Sequence, residues 1–313
     1  MMALSVGASH HAWMEWPGQP STDLIKQLIA RGHLWAMKAR SLGCLEKFSK
    51  ADPLVGRNVQ RRETNIHPHV VPIIKNPFSN RDSCIDDDHF CIGTLVSFRH
   101  VLTAAHCFDT YKNLKDIKIL VASPNLETCK EYPAKTLVRY RDWTLWRRKT
   151  QKTADDDIAI LVLDKKVRET YVEPARLSTI NNIDIEGKKV EIVSWGSPRD
   201  KRISRTIEIG FVKILTPEEC TKEVERASGA EVWIDDTHFC TASRPYLLAT
   251  HGDSGGPVLY HGMIVGVNKG ICPVADPGTT TCIPKAFQVN IHMSVHHHRE
   301  FISDVIQNWF KKQ

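Results

Sequence analysis

The chain predicts an all-β barrel or sandwich closed by one C-terminal helix, and three observations predict it. Short runs rich in β-branched and apolar residues recur from about Pro72 onward. Clusters of Gly, Pro, Asn and Asp separate them. Long helical patterns are few, and one clear helix closes the chain. Many short strands between turn signals bury their apolar faces only by closing or stacking sheets.

In chain order, residues 1–53 differ from the rest. Leu24, Ile25, Leu28, Ile29 and Trp35 fall at helical spacing, behind Thr22 or Asp23 as a cap. This stretch reads as a short amphipathic helix in a leader or pro-segment, or as a frayed extension. Residues 54–313 form the second unit. Its clearest strand runs are residues 117–122, 158–163, 190–195, 207–215 and 258–268, with turn chemistry at Asn181-Asn182 and at residues 196–200. Phe301, Ile302, Val305, Ile306, Trp309 and Phe310 form an apolar stripe that predicts a helix over residues 298–311. The chain has no internal repeat and no low-complexity tract.

Of the 313 residues, 42% are hydrophobic and 25% charged, as in ordinary globular chains, and the net charge of +6 is mild. The basic run from Arg139 to Arg148 reads as a solvated loop rather than a nucleic-acid site. No run approaches the roughly 20 apolar residues of a membrane span.

The nine cysteines are Cys44, Cys84, Cys91, Cys107, Cys129, Cys220, Cys240, Cys272 and Cys282, and none sits in a CxxC pair. Zinc-ribbon chemistry is disfavoured, and disulfides in an oxidising compartment fit better. The odd count leaves one thiol over. Residues 1–16 lack a basic start followed by an apolar core, so no secretory signal is readable there. A wrong first exon, another exit route and an internal location are all open, and the cysteine usage favours the first.

The chemistry concentrates in three motifs. Gly252-Asp253-Ser254-Gly255-Gly256-Pro257 sets one serine among glycines ahead of an apolar run. Thr103-Ala104-Ala105-His106-Cys107 and Asp157-Ile158-Ala159-Ile160-Leu161 precede it. A serine hydroxyl needs a base to take its proton and a donor site for the oxyanion it creates. A histidine can be the base, and a carboxylate can hold its tautomer. Glycines let the backbone N–H groups turn toward a substrate carbonyl.

With these motifs in the order His106, Asp157, Ser254, residues 54–313 resemble the trypsin- and chymotrypsin-like serine proteases. The resemblance implies two six-stranded antiparallel β-barrels with a C-terminal α-helix. It implies His106 as general base, Asp157 as its orienting partner, Ser254 as nucleophile, and the N–H groups of Gly252 and Ser254 as the oxyanion hole. Asp157 is chosen from three consecutive aspartates because it opens the family's D-I-A-x-L stretch, which leaves Asp155 and Asp156 solvated. The resemblance also implies disulfides Cys91–Cys107 and Cys220–Cys240, and His89 as the holder of Asp253 before activation. Asp253 would then pair with a newly freed N-terminal amine.

The chain departs from the family pattern in several places. Leu54-Val55-Gly56-Arg57 follows Pro53 rather than a basic residue; a cut after Arg57 would leave a polar Asn58 terminus, and Arg61 and Arg62 are further candidates. Leu248 stands at the expected base of the specificity pocket, so a preference for Lys or Arg is not expected. Thr250 replaces a pocket cysteine, so Cys272 and Cys282 are expected to pair with each other, and Cys84 with Cys129. The substrate-binding strand reads Asn268-Lys269-Gly270, and Lys285 aligns with the far wall of the pocket. Lys285 pointing inward would favour an acidic P1 side chain or simply plug the site; pointing outward, it leaves an apolar preference set by Leu248. His296-His297-His298 reads as solvent-exposed, and no metal is expected.

The expectation is therefore a secreted, monomeric serine endopeptidase needing no cofactor. Its partners are polypeptide substrates and protein protease inhibitors, with no nucleic acid and no membrane. The alternatives are a non-catalytic homologue that binds or regulates, and an esterase using the same three residues.

Overall fold

The structure is a computed structural model that describes residues 54–56, 59–75, 89–110, 113–125, 128–150, 156–195, 207–228, 234–250, 252–272 and 288–308. Residues 1–53, the turn at 196–200, and Trp309 and Phe310 lie outside the described residues.

Two barrels form. In the first, β3 (Val70–Lys75), β4 (His89–Ser97), β5 (His100–Thr103), β6 (Ile117–Ala122), β7 (Cys129–Arg139) and β8 (Ala159–Leu163) close in the order β3-β4-β5-β8-β7-β6. In the second, β9 (Lys189–Trp195), β10 (Ile207–Ile214), β11 (His238–Ala242), β13 (Pro257–Tyr260), β14 (Met263–Cys272) and β15 (Val289–Ser294) run β11-β15-β14-β13-β9-β10. Pairing of β10 with β11 closes this ring. All of these pairings are antiparallel. Two short N-terminal strands join the second barrel: β2 (Val59–Arg62) extends β10, and β1 (Val55–Gly56) pairs with β12 (Leu247–Leu248).

The alternating pattern explains why β8 is buried at every position. Leu161 and Leu163 fill the first barrel with Val71 and Val101, while Ile160 and Val162 face the second barrel and pack with Val193 and Trp195. A strand covered on both faces reads as a continuous apolar run rather than as an alternation. Trp195 reaches across the same seam, its indole N–H donating to the Val70 carbonyl at 3.0 Å.

The run expected over residues 258–268 is two strands joined by a tight hairpin. His261 (φ 48°) and Gly262 (φ 73°) both take left-handed backbone, which is what a two-residue turn matching the strand twist requires. The apolar content on either side hides this turn in the sequence.

Three α-helices are present among the described residues: α1 (Tyr140–Trp146), α2 (Pro217–Ser228) and α3 (Val295–Asn308). The reading of residues 139–148 as a solvated loop is corrected. Asp142 accepts from the Arg139 N–H at 3.3 Å at the start of α1, and Arg148 (φ 53°) ends the helix, with the Lys149 N–H returning to the Thr144 carbonyl at 2.8 Å. Trp143 is 1% exposed, and its ring packs on Phe301 of α3. Its indole N–H donates to Asp304 at 2.7 Å, and Arg147 forms a two-pronged pair with the same carboxylate. The closing helix begins three residues earlier than the stripe predicts, and its first turns belong to the histidines.

Asp304 therefore ties α1 to α3. Burial opposes its charge, but Arg147, Trp143 and Asn308 outweigh that and hold its pKa at about 2. An Asp304→Ala variant should lose about 1–3 kcal/mol in urea unfolding, because the buried indole N–H loses its acceptor. A depressed carboxylate stabilises the fold above its unfolded pKa and ceases to do so as pH falls through its folded one. The difference between wild type and variant should therefore shrink as pH falls from about 4 to 2.

Candidate active site

His106 and Asp157 meet because of strand register. Thr103 at the end of β5 pairs with Ala159 at the start of β8, so the residues after one and before the other leave the barrel at the same rim. His106 Nδ1 lies 2.6 Å from Asp157 Oδ2, and the His106 backbone N–H donates to Oδ1 at 2.7 Å. Both carboxylate oxygens thus hold one residue, ring and backbone together. A carboxylate only accepts, so Nδ1 carries the proton and Nε2 presents its lone pair. Burial opposes a charge on His106, but Asp157 offsets this and the imidazole pKa is raised. Burial likewise opposes the Asp157 charge, yet His106 and Lys269 hold its pKa below the usual value.

The disulfide Cys91–Cys107 fastens the His106 turn to β4. Cys91, His106 and Cys107 offer donor atoms within 4.8 Å of one another, but both sulfurs are consumed by the disulfide, so this cluster is no metal site.

Ser254 precedes β13 on the second barrel and meets the first barrel directly. Its carbonyl accepts from the Ile92 N–H at 2.8 Å and lies 3.9 Å from Cys107 Sγ. Gly255 (φ 83°) sits in the seam. A Cβ there would overlap Thr103 Oγ1 and the Ile92 carbonyl and lie 2.9 Å from the Ala104 nitrogen, so only glycine fits. Gly252 also has positive φ, 96°. The N–H groups of Asp253, Gly255 and Gly256 donate to Thr250, Asn268 and Asp253 carbonyls. Those of Gly252 and Ser254 have no such acceptor among the described residues.

Asp253 is fully buried. Ser194 Oγ donates to one of its oxygens, and the Thr250 N–H donates to the other at 2.7 Å. Burial pushes its carboxyl up to about 8. The expected His89–Asp253 contact is not made, and this is a correction. His89 begins β4 in register with Ile74, and its Nε2 lacks a hydrogen-bond partner. Ser194 faces Asp253 from β9 instead, a contact 59 residues apart in sequence.

The remaining expectations divide. Cys220–Cys240 forms. Cys272 is a buried thiol, its pKa pushed up to about 12 by burial, so the expected bridge to Cys282 is corrected at its described end. Cys282, Cys44, Cys84, Lys285, Asp155 and the Arg57-Asn58 bond lie outside the described residues. Leu248 is 1% exposed in β12, in register with Val55. Gly270 follows the bulge in β14, with open space where a Cβ would stand. Asp156 is not solvated. Its side chain is 2% exposed and accepts from His298 Nε2 at 3.0 Å, while His298 Nδ1 reaches the Ser294 carbonyl at 2.7 Å. His298 is buried with it, so only part of the histidine run is exposed. Sequence reasoning missed Ser194, His238 and the Asp156–His298 pair, none of which lies in a local motif.

A family model described as Trypsin matches residues 60–290. The chain belongs to the trypsin family. Among its relatives, a trypsin of Sarcophaga bullata is 28% identical over 255 residues, covering 78% of this chain and 91% of that protein. A chymotrypsin of Phaedon cochleariae is 26% identical over 181 residues, covering 56% of this chain. That match spans 62% of the Phaedon protein. A brachyurin of Leptuca pugilator is 27% identical over 190 residues, covering 59% and 77%. The solved structure of neuropsin, a serine protease expressed in mouse brain, shares the fold with a TM-score of 0.55 at 21% identity, covering 79% of this chain and 99% of its own. The two closed barrels and terminal helix are thus the trypsin-family fold.

The buried Asp253 makes a prediction for the stability of this chain. A carboxyl whose folded pKa is raised stabilises the fold fully below its unfolded pKa, and that stability is lost as pH rises through the folded one. Wild type should therefore lose stability relative to Asp253→Asn between pH 4 and 8 in denaturant titrations, then run parallel to it.

Proposed function

We propose that the chain is a secreted serine endopeptidase, with His106, Asp157 and Ser254 as its catalytic residues. The observation that carries this reading is the two-pronged grip of Asp157 on His106, at the rim where Ser254 enters from the other barrel. His106 Nε2 takes the Ser254 proton as Oγ attacks a peptide carbonyl, and a tetrahedral oxyanion forms. The N–H groups of Gly252 and Ser254, which lack acceptors among the described residues, receive that oxyanion. Each such donor contributes about 3 kcal/mol to the transition state. His106 then protonates the leaving amine, and water releases the acyl group by the reverse sequence. The raised pKa of His106 suits a base that must hold a proton between the two halves. Two disulfides support an oxidising compartment. An apolar Leu248 supports a P1 preference unlike that of trypsin.

The test uses a fluorophosphonate probe and a peptide panel on wild type and Ser254→Ala. Wild type should label and cleave, and the variant should lose label and about 10⁶-fold in kcat with its melting profile unchanged. Absence of labelling in the folded wild type, before and after limited proteolysis, would favour the non-catalytic homologue. In the active protein, kcat/KM should rise with pH with a midpoint above the ordinary histidine value, as His106 Nε2 loses its proton.

A further inference from the structure

Asp156 and His298 form a buried pair that the proposed reaction does not use. Their side chains are 2% and 1% exposed, and His298 Nε2 lies 3.0 Å from Asp156 Oδ1. His298 Nδ1 lies 2.7 Å from the Ser294 carbonyl, which can only accept, so Nδ1 bears a proton. The second contact then takes one of two forms. Either Nε2 is also protonated and donates to a carboxylate, or a protonated Asp156 donates to the Nε2 lone pair. Both forms keep one further proton between the two residues. Breaking the pair is costly, because each side chain is buried and Asp156 Oδ2 has no hydrogen-bond partner of its own. The Tyr140 ring packs T-shaped on the imidazole, 4.9 Å between centroids, and limits its rotation. Phe301, Ile302 and Val305, all fully buried, fix the helix that carries His298. The strand ladders of β8 begin at Ala159, so Asp156 and Asp157 precede them and have no strand pairing. Two contacts hold this stretch instead. The Ile158 carbonyl accepts the Tyr140 N–H at 3.1 Å on one side of Asp157, and His298 holds Asp156 on the other. Between them, the two oxygens of Asp157 hold the ring and backbone of His106.

We propose that His298 is a positioning residue for the candidate catalytic pair: by holding Asp156 it fixes the main chain of Asp157, and with it the angle at which Asp157 grips His106. This deepens the protease reading and rests on it for the reaction that the placement serves. The physical basis is that a base displaced by a fraction of a bond length loses much of its rate advantage although every reacting group is still present.

The test pairs disruptive variants of the full chain with conservative ones. His298→Leu removes both hydrogen bonds, and Asp156→Ala takes away the partner of His298. His298→Gln restores a donor toward Asp156, and Asp156→Asn restores one toward the Nε2 lone pair. The first readout is the low-field proton resonance of His106 Nδ1–H, assigned by its loss in His106→Ala and recorded below the melting temperature of each variant. It should move upfield or broaden in the Leu and Ala variants and keep its wild-type position in the Gln and Asn variants. The second readout is kinetic. In the disruptive variants kcat should fall about 10- to 100-fold while KM stays near wild type, since neither buried residue meets substrate, and the conservative variants should recover most of the loss. Should His298→Leu not fold, Asp156→Ala carries the comparison. A wild-type resonance and kcat in a folded disruptive variant overturn the inference. Equal losses in disruptive and conservative variants overturn it as well. Failure of Ser254 to label with fluorophosphonate overturns the protease reading alone, and the His106 resonance still decides the role of His298.

Discussion

Gly255 has room for a hydrogen and nothing larger, and the candidate site depends on that closeness. Its backbone presses against Thr103, Ala104 and Ile92 of the first barrel while its N–H is held by the Asn268 carbonyl of the second. One residue earlier, the Ser254 carbonyl receives the Ile92 N–H. The serine is therefore attached to both barrels by its own backbone and its neighbour's. His106 and Asp157 come from the first barrel, so their distance from Ser254 is set by this seam rather than by any loop. Trp195 on Val70, together with the apolar side chains of β8 and β9 between the barrels, keeps the seam dry and stiff.

Around the seam, burial and charge work against each other, and the balance differs from residue to residue. Asp157 stays ionised because His106 and Lys269 outweigh the cost of burial. Asp253 meets a hydroxyl and a backbone N–H but no described cation, and burial wins. The two carboxyl groups thus have opposite preferences, set by whether a cation faces them. Asp156 adds a third case, joined to His298 at the start of α3, so the segment entering Asp157 is anchored to the terminal helix. Asp304 anchors the same helix to α1 by way of Trp143 and Arg147. The C-terminal helix thereby braces both the approach to Asp157 and the basic helix outside it.

Much of this was legible in the chain. The serine motif is local: glycines on both sides of Ser254 announce backbone that other residues cannot adopt, and Gly252 and Gly255 do take positive φ. Cys91 and Cys107 are close enough in sequence for a family spacing to pair them, and they pair. The strand runs at residues 117–122, 190–195 and 207–215 match β6, β9 and β10 to within a residue, because β-branched runs between turn residues have few other uses. The helix α1 was hidden because its arginines look solvated until Trp143 and Asp304 meet, 161 positions apart. Cys272 misled because a cysteine count gives parity and not geometry.

The sequence by itself determined an all-β barrel or sandwich with a terminal helix and the serine, histidine and aspartate motifs, and the resemblance those motifs carry implied the two barrels and the two described disulfides. Each of these is encoded in residues near one another, where backbone preference, alternation and motif spacing act. Only the tertiary structure decided which aspartates are buried, that Ser194 rather than His89 faces Asp253, and that the Lys269 ammonium lies beside His238 Nε2. Those contacts join strands far apart in sequence. Their energies depend on distance and desolvation, which exist only once the barrels have closed.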